Sequence, residues 1–177
     1  MELGFADYNV SVLRLVTAPN ILLSWAQSRP RPAGADGWEE EGELDIDAEL
    51  LSAFQADLAA LDITLNFFSG TWGDEFVHLV DVASQGAEGE LLVTGAETIY
   101  SPAALRSFSE VLMKILEKEK EEKSGGKALV GAKKVYFGVG GSMEDFCEAV
   151  RDKGGVATQI REEEDGVRRA VVEVTTK

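Results

Sequence analysis

Glu97-Thr98-Ile99-Tyr100 sets a carboxylate and a phenol three residues apart, just after the apolar run Leu91-Leu92-Val93-Thr94 and the small pair Gly95-Ala96. In an open α/β sheet, ligands bind beyond the carboxyl ends of strands, so this is where chemistry can sit. Small residues leave room for a ligand, a carboxylate can accept N–H donors, and a tyrosine can line the approach. The same Glu and Tyr can instead cap and pack the helix that Pro102 opens. Two further segments carry a comparable signal, Phe5-Ala6-Asp7-Tyr8-Asn9 and Lys133-Lys134-Val135-Tyr136-Phe137-Gly138-Val139-Gly140-Gly141. The glycine run has the wrong length for a P-loop and no Lys-Ser/Thr after it, which excludes nucleoside triphosphate binding of that kind. His78 is the sole histidine, so it cannot build a metal cluster, and no serine elbow supports a triad. On a short helix it reads as structural or exposed.

The elements that must position these residues can be read from periodicity. Glu2 to Ala6 suits a strand ending at Asp7, and Asn9 can cap the helix that follows. Val10, Leu13, Val16, Ile21, Leu22 and Trp25 recur at helical spacing, with Pro19 predicting a kink or break near Ala18. Residues 28–46 read as a flexible acidic insertion, and Ile46 to Ala60 as helix. Ile63 to Phe68 alternates like a strand and ends at Ser69-Gly70-Thr71-Trp72-Gly73. A short helix from Glu75 to Ala83 leads to the strand Leu91 to Thr94. Pro102 to Glu122 is an amphipathic helix, with Pro102 in its first turn, Ser101 as cap, and Gly125-Gly126 beyond its end. Ala128 to Ala132 is a strand and Ser142 to Lys153 a helix. Val156 to Arg161 and Ala170 to Thr175 are strands joined at Glu164-Asp165-Gly166. The alternation implies an α/β fold with a mainly parallel sheet and helices on both faces, its last two strands antiparallel.

The chain has 177 residues, enough for a single domain with a real core. No apolar run approaches the ~20 residues needed to span a bilayer, and the first residues lack the pattern of a secretory signal. Cys147 is the only cysteine. It excludes an intrachain disulfide, fits a reducing compartment, and reads as buried and inert on its helix. A net charge of -15 argues against nucleic acid and favours a basic protein partner. Eight acids and no bases lie between Asp36 and Glu49, so part of that charge belongs to a solvated loop.

Taken in order, Asp7-Tyr8-Asn9, Val16-Thr17-Ala18-Pro19-Asn20, Phe68-Ser69-Gly70-Thr71-Trp72, Glu97-Thr98-Ile99-Tyr100-Ser101 and Lys133 to Gly141 resemble the protein-histidine N-methyltransferase family. The last strand, Arg168 to Thr175, has that family's look as well. The resemblance implies a Rossmann-like seven-stranded methyltransferase sheet with a C-terminal antiparallel hairpin, using S-adenosyl-L-methionine. Its first strand and glycine-rich loop would precede Glu2, so the chain resembles an N-terminally truncated member that associates through an exposed sheet edge. On this resemblance the substrate is a histidine of a large-subunit ribosomal protein, met in cytoplasm and nucleus, with no metal, direct nucleic acid or membrane involved. Asp7 takes the ribose hydroxyls, or else caps the following helix. Gly70, Thr71 and Trp72 wall the adenine, unless Trp72 is simply core. Gly95 and Ala96 leave room for the cofactor. Glu97 orients the imidazole and Tyr100 lines the methyl-transfer channel. Tyr136, Phe137, Gly138 and Gly140 face the substrate. The alternatives are a non-catalytic binding module and a protein-lysine methyltransferase.

Overall fold

Strand β1 (Glu2–Asp7) lies parallel to β2 (Thr64–Ser69), with Phe5 opposite Phe67 and their rings stacked 5.6 Å apart. This is a computed structural model, and it describes residues 1–29, 43–86, 89–122, 125–138, 140–163 and 168–177. Residues 30–42 of the expected acidic insertion, Val139 and the Glu164-Asp165-Gly166 turn lie outside the described residues. The chain divides into two compact units, Met1–Thr71 and Trp72–Lys177.

In the first unit, Asn9 caps α1 (Val10–Val12) by accepting the Ser11 N–H at 2.9 Å. A π-helical turn (Leu13–Thr17) then passes directly into α2 (Ala18–Ser28). Of the kink or break expected near Ala18, the structure has an irregularity without a break: Thr17 and Ala18 keep helical dihedrals, and the Ala18 N–H reaches back to the Leu13 carbonyl. A proline brings no N–H and crowds the carbonyl one turn back. The wider turn relieves that crowding, so the helix runs on through Pro19. Asp47 caps α3 (Ala48–Ala60) through the Leu50 N–H at 2.7 Å. Trp25 joins α2 to α3: its ring packs on Phe54, and its Nε1 donates to Asp57 Oδ2 at 3.0 Å.

The second unit contains α4 (Asp74–Ala83), β3 (Leu91–Ala96), α5 (Pro102–Glu122), β4 (Gly126–Lys133), α6 (Met143–Asp152), β5 (Gly155–Glu163) and β6 (Arg169–Thr176). Its four-stranded sheet has the order β3-β4-β6-β5. β3 and β4 are parallel, while β6 runs antiparallel to both β4 and β5. The antiparallel terminal pair is as expected. The sheet is nevertheless mixed, because β6 inserts between β4 and β5, a choice that strand periodicity does not encode.

Alternate residues of the central strands, Ala128, Val130 and Ala132 on β4 and Ala170, Val172 and Val174 on β6, are fully buried on one face. They meet Leu105, Phe108, Leu112 and Leu116 of α5 and Phe146 and Val150 of α6. The spacing on α5 is that of a helix burying one stripe, and each such side chain is worth about 1.5–3 kcal/mol of burial. Ser101 caps α5 by accepting the Ala104 N–H at 3.2 Å, and Ser142 caps α6 through the Asp145 N–H at 3.0 Å. Along β5 an extra residue, Ile160, interrupts the register between Gln159 and Arg161. Arg161 rather than Ile160 is therefore paired with Val171, so a cation joins the row Ala96, Gly131 and Val171 on the face turned away from α5 and α6.

Candidate active site

The end of β3 places the first functional side chain. Past Ala96 the Glu97 N–H still bonds to the Gly131 carbonyl at 2.9 Å, but its φ of +56° turns the chain sharply away from the sheet. A non-glycine residue in this region carries backbone strain, which is found where surrounding structure enforces a functional conformation. Glu97 does not cap α5, since Ser101 does that. Its carboxylate instead reaches Tyr136 and Arg169: the Tyr136 hydroxyl donates to Oε2 at 2.6 Å and Arg169 Nε donates to Oε1 at 3.3 Å. Burial, and then the hydrogen bond to Glu97, pushes the Tyr136 phenol up to about 12. It is therefore a permanent donor at neutral pH. The Lys133 N–H approaches the same phenol oxygen at 3.4 Å.

Beside Glu97 is an open cavity of about 300 Å³. Its floor is Ala96, Gly131 and Val171 on the face turned away from α5 and α6, and its rim carries Glu97, Arg169, Arg161 and Glu163. Arg161 Nη2 lies 3.4 Å from Glu163 Oε1, so the rim consists of two ion pairs. The space is ample for a single planar ring.

The Gly-rich loop sits over the start of α5. The Tyr136 N–H donates to the Gly141 carbonyl at 3.2 Å, and Val135 bridges to Ser142, closing a tight turn. A Cβ at Gly141, where φ is +97°, would lie 2.8 Å from the Ile99 carbonyl oxygen, so only glycine lets the loop approach the E-x-x-Y turn this closely. The structure thus brings Tyr136, Gly140 and Gly141 together with Glu97 to Pro102. Phe137, at 93% exposure, and Tyr100 project into solvent beside them. Gly138 is exposed in the same turn with φ +83°.

Other residues have different employment. Gly95 is buried, and a Cβ there would fall 2.7 Å from Phe108 Cζ, so its smallness serves the seating of α5. The Trp72 ring stands edge-on to Phe76 at 4.8 Å and Phe108 at 6.3 Å, the packing role weighed for it from sequence. In the first unit, Asp7 Oδ1 accepts the Asn9 N–H at 2.7 Å, a local turn just before the helix that Asn9, not Asp7, caps. Gly70 has φ +131° with open space where a Cβ would be, and Thr71 is exposed. His78 is exposed on α4, and burial pushes the half-buried Cys147 thiol up. Among the described residues no group of acids, histidines and cysteines could hold a metal ion.

Periodicity did not reveal Arg161, Glu163 and Arg169. Their signal was the run Arg168-Arg169 opening the last strand, which acquires meaning only once β6 is paired with β4 and β5.

Comparison with known proteins bears directly on this geometry. The chain is 33% identical over 162 residues to histidine protein methyltransferase 1 of Saccharomyces cerevisiae, covering 86% of this chain and 42% of that protein. It is 38% identical over 144 residues to the Schizosaccharomyces pombe protein of the same name, covering 81% and 39%. The chain belongs to the histidine protein methyltransferase family. It is also 29% identical to the homologue from Bos taurus over 99% of its own length and 43% of that protein. The chain thus spans about two fifths of the length of the family members it matches. No protein-family model matches it. A solved methyltransferase structure from Pyrococcus furiosus aligns with a TM-score of 0.38 and 16% identity, covering 73% of this chain and 59% of that one. That likeness is too loose to add weight.

Proposed function

We propose that this chain supplies the target side of a protein-histidine N-methyltransferase, with Glu97 orienting the imidazole that receives the methyl group. One observation carries the reading: at the carboxyl end of β3, Glu97, at a φ of +56°, is fixed by Tyr136 and Arg169 beside a cavity with room for a ring. A carboxylate offers about four acceptor positions, and Tyr136 and Arg169 take one each, so acceptor capacity remains for a ring N–H. Accepting that N–H fixes which ring nitrogen keeps its lone pair. As this nitrogen forms its bond to carbon, the ring becomes cationic. The Glu97 carboxylate can take the proton from the held N–H as that bond forms, which returns the ring to neutrality. No strong base is needed first, because a free imidazole is mostly neutral at pH 7.

S-adenosyl-L-methionine, the cofactor expected from the family resemblance, supplies a methyl group on a sulfonium when bound. The residues of the first unit fit it in part: Asp7 offers a carboxylate at the end of a parallel strand, and Gly70 leaves open space after β2. Trp72 and Gly95 also pack around Phe108. The net charge of -15 supports a basic protein as substrate, a large-subunit ribosomal protein on the family resemblance, met in cytoplasm and nucleus.

The experiment is a transfer assay with labelled S-adenosylmethionine and a basic, histidine-containing ribosomal protein, run beside calorimetry with S-adenosylhomocysteine. Wild type is expected to label histidine, and Glu97→Gln to lose most of that rate while binding S-adenosylhomocysteine as before. Equal labelling by both proteins would remove Glu97 from the mechanism. Binding of the basic protein without any transfer would favour the non-catalytic module.

A further inference from the structure

We propose that Arg169 is the residue that makes this site choose a neutral ring over an ammonium group. The inference rests on the reading of Glu97 as the acceptor for the target side chain. It follows from charge balance at the cavity. An unpaired carboxylate on a rim favours any cation, and a lysine ammonium would be its natural guest. Glu97 is not unpaired: Arg169 Nε lies 3.3 Å from Oε1, with both side chains about half exposed. The second acid of the rim, Glu163, is likewise matched by Arg161 at 3.4 Å. Two guanidiniums thus match the two acids of the rim, and Lys133 stands opposite Arg169 on the same face, so the cavity carries no net negative charge on a chain of net charge -15.

A neutral imidazole N–H can use the remaining acceptor positions of Glu97 without disturbing this balance. An ammonium entering the same place meets a carboxylate whose charge is already compensated, with a guanidinium that cannot deprotonate beside it. Like charges in contact disfavour the guest.

The fold places this cation deliberately. Arg169 opens β6, and antiparallel pairing sets it opposite Lys133 on β4 and Glu163 on β5. The Ile160 bulge brings Arg161 to the same face of the sheet. Tyr136 has a different task. It donates to Oε2 and carries no charge, so it orients the carboxylate without affecting selection.

The test uses the full chain labelled with nitrogen-15 at pH 8, where a free histidine side chain is uncharged. The probes are N-acetylhistidine methylamide and N-acetyllysine methylamide, and the readout is the backbone amide of Glu97. Wild type is expected to bind the histidine probe at least about tenfold more tightly than the lysine probe, a ratio that corresponds to ~1.4 kcal/mol. Arg169→Gln should bring the two affinities together, mainly by gain for lysine, and Arg169→Lys should restore the wild-type ratio. If Arg169→Gln shifts with the histidine probe and keeps the wild-type ratio, the assignment of Arg169 is overturned while the Glu97 site stands. A wild type that binds the lysine probe as tightly as histidine overturns it without any variant. If neither probe moves the Glu97 amide in any of the proteins, both the selection and the target site on which it rests fall.

Discussion

Replacing Gly95 by alanine separates two reasons for a small residue at the end of β3, room for a ligand and room for α5. The added Cβ would sit 2.7 Å from Phe108 Cζ and 3.4 Å from a second Phe108 ring carbon. Ordinary contacts of this kind begin near 3.4 Å, so the ring must retreat by several tenths of an ångström. It has little freedom to do so, being 6% exposed and bounded by Trp72 at 6.3 Å and Phe146 at 6.1 Å. Overpacking a dense core costs about 1–3 kcal/mol. Against this, an alanine restricts the unfolded chain and returns about 0.4–1 kcal/mol. The expected net loss is therefore about 1–2 kcal/mol, or a melting temperature lower by roughly 2–8 °C for a chain of this size. Thermal unfolding by circular dichroism measures it directly. Combining Gly95→Ala with Phe108→Leu should cost less than the sum of the two single changes, because the shortened side chain vacates the contact. A Gly95→Ala protein as stable as wild type, with weakened S-adenosylhomocysteine binding, would refute the packing account and return Gly95 to the cofactor.

Three further outcomes are expected. Gly141→Ala adds a Cβ 2.8 Å from the Ile99 carbonyl at a φ of +97°, so it should destabilise by about 1–3 kcal/mol; hydrogen exchange should show faster opening at Glu97 to Pro102. Ultraviolet titration should show one of the three tyrosines ionising only near a pH of about 12, and Tyr136→Phe should remove that component. Since this folded value lies above the ordinary one of about 10, the stability Tyr136 contributes is complete below pH ~10 and is lost as pH rises toward 12. Glu162 accepts from Lys134, Gln159 and Arg168, and these donors hold its carboxyl down at about 2. Its stabilisation is thus present above pH ~4.5 and lost as pH falls toward 2. The melting temperatures of wild type and Glu162→Gln should therefore differ at pH 7 and draw together as pH falls through about 2.

What could be read from the sequence is what local physics determines. Strand β3, the Ser101 cap, Pro102 in the first turn of α5 and the single buried stripe of that helix follow from residue type and spacing over a few positions. The E-x-x-Y segment declared itself for the same reason. Its partners did not, because Glu97 meets Arg169 across 72 residues of chain. That meeting requires β6 to lie between β4 and β5 in the observed register, and antiparallel pairing with either neighbour satisfies the hydrophobic pattern equally well. The Ile160 bulge is equally silent in sequence, yet it decides which side of β5 carries Arg161. Pro19 marked the place of an irregularity but not its form, because a proline announces a lost hydrogen bond and not how the surrounding helix will absorb it. At Gly95 and Trp72 the residue type was informative, but only the position of Phe108 reveals the neighbour each accommodates.

The left-handed backbone at Glu97 has a consequence for how the chain tolerates change. At φ +56° glycine or asparagine would sit with less strain, so Glu97→Gly and Glu97→Asn ease the turn at the cost of the carboxylate's bonds to Tyr136 and Arg169. Conformational economy and chemistry therefore pull in opposite directions at a single position. A library of all substitutions at residue 97, selected only for folding, should return small αL-tolerant residues, whereas selection for transfer should return the acid. The gap between those two selections would measure how much backbone ease this chain forgoes to keep a carboxylate at the end of β3.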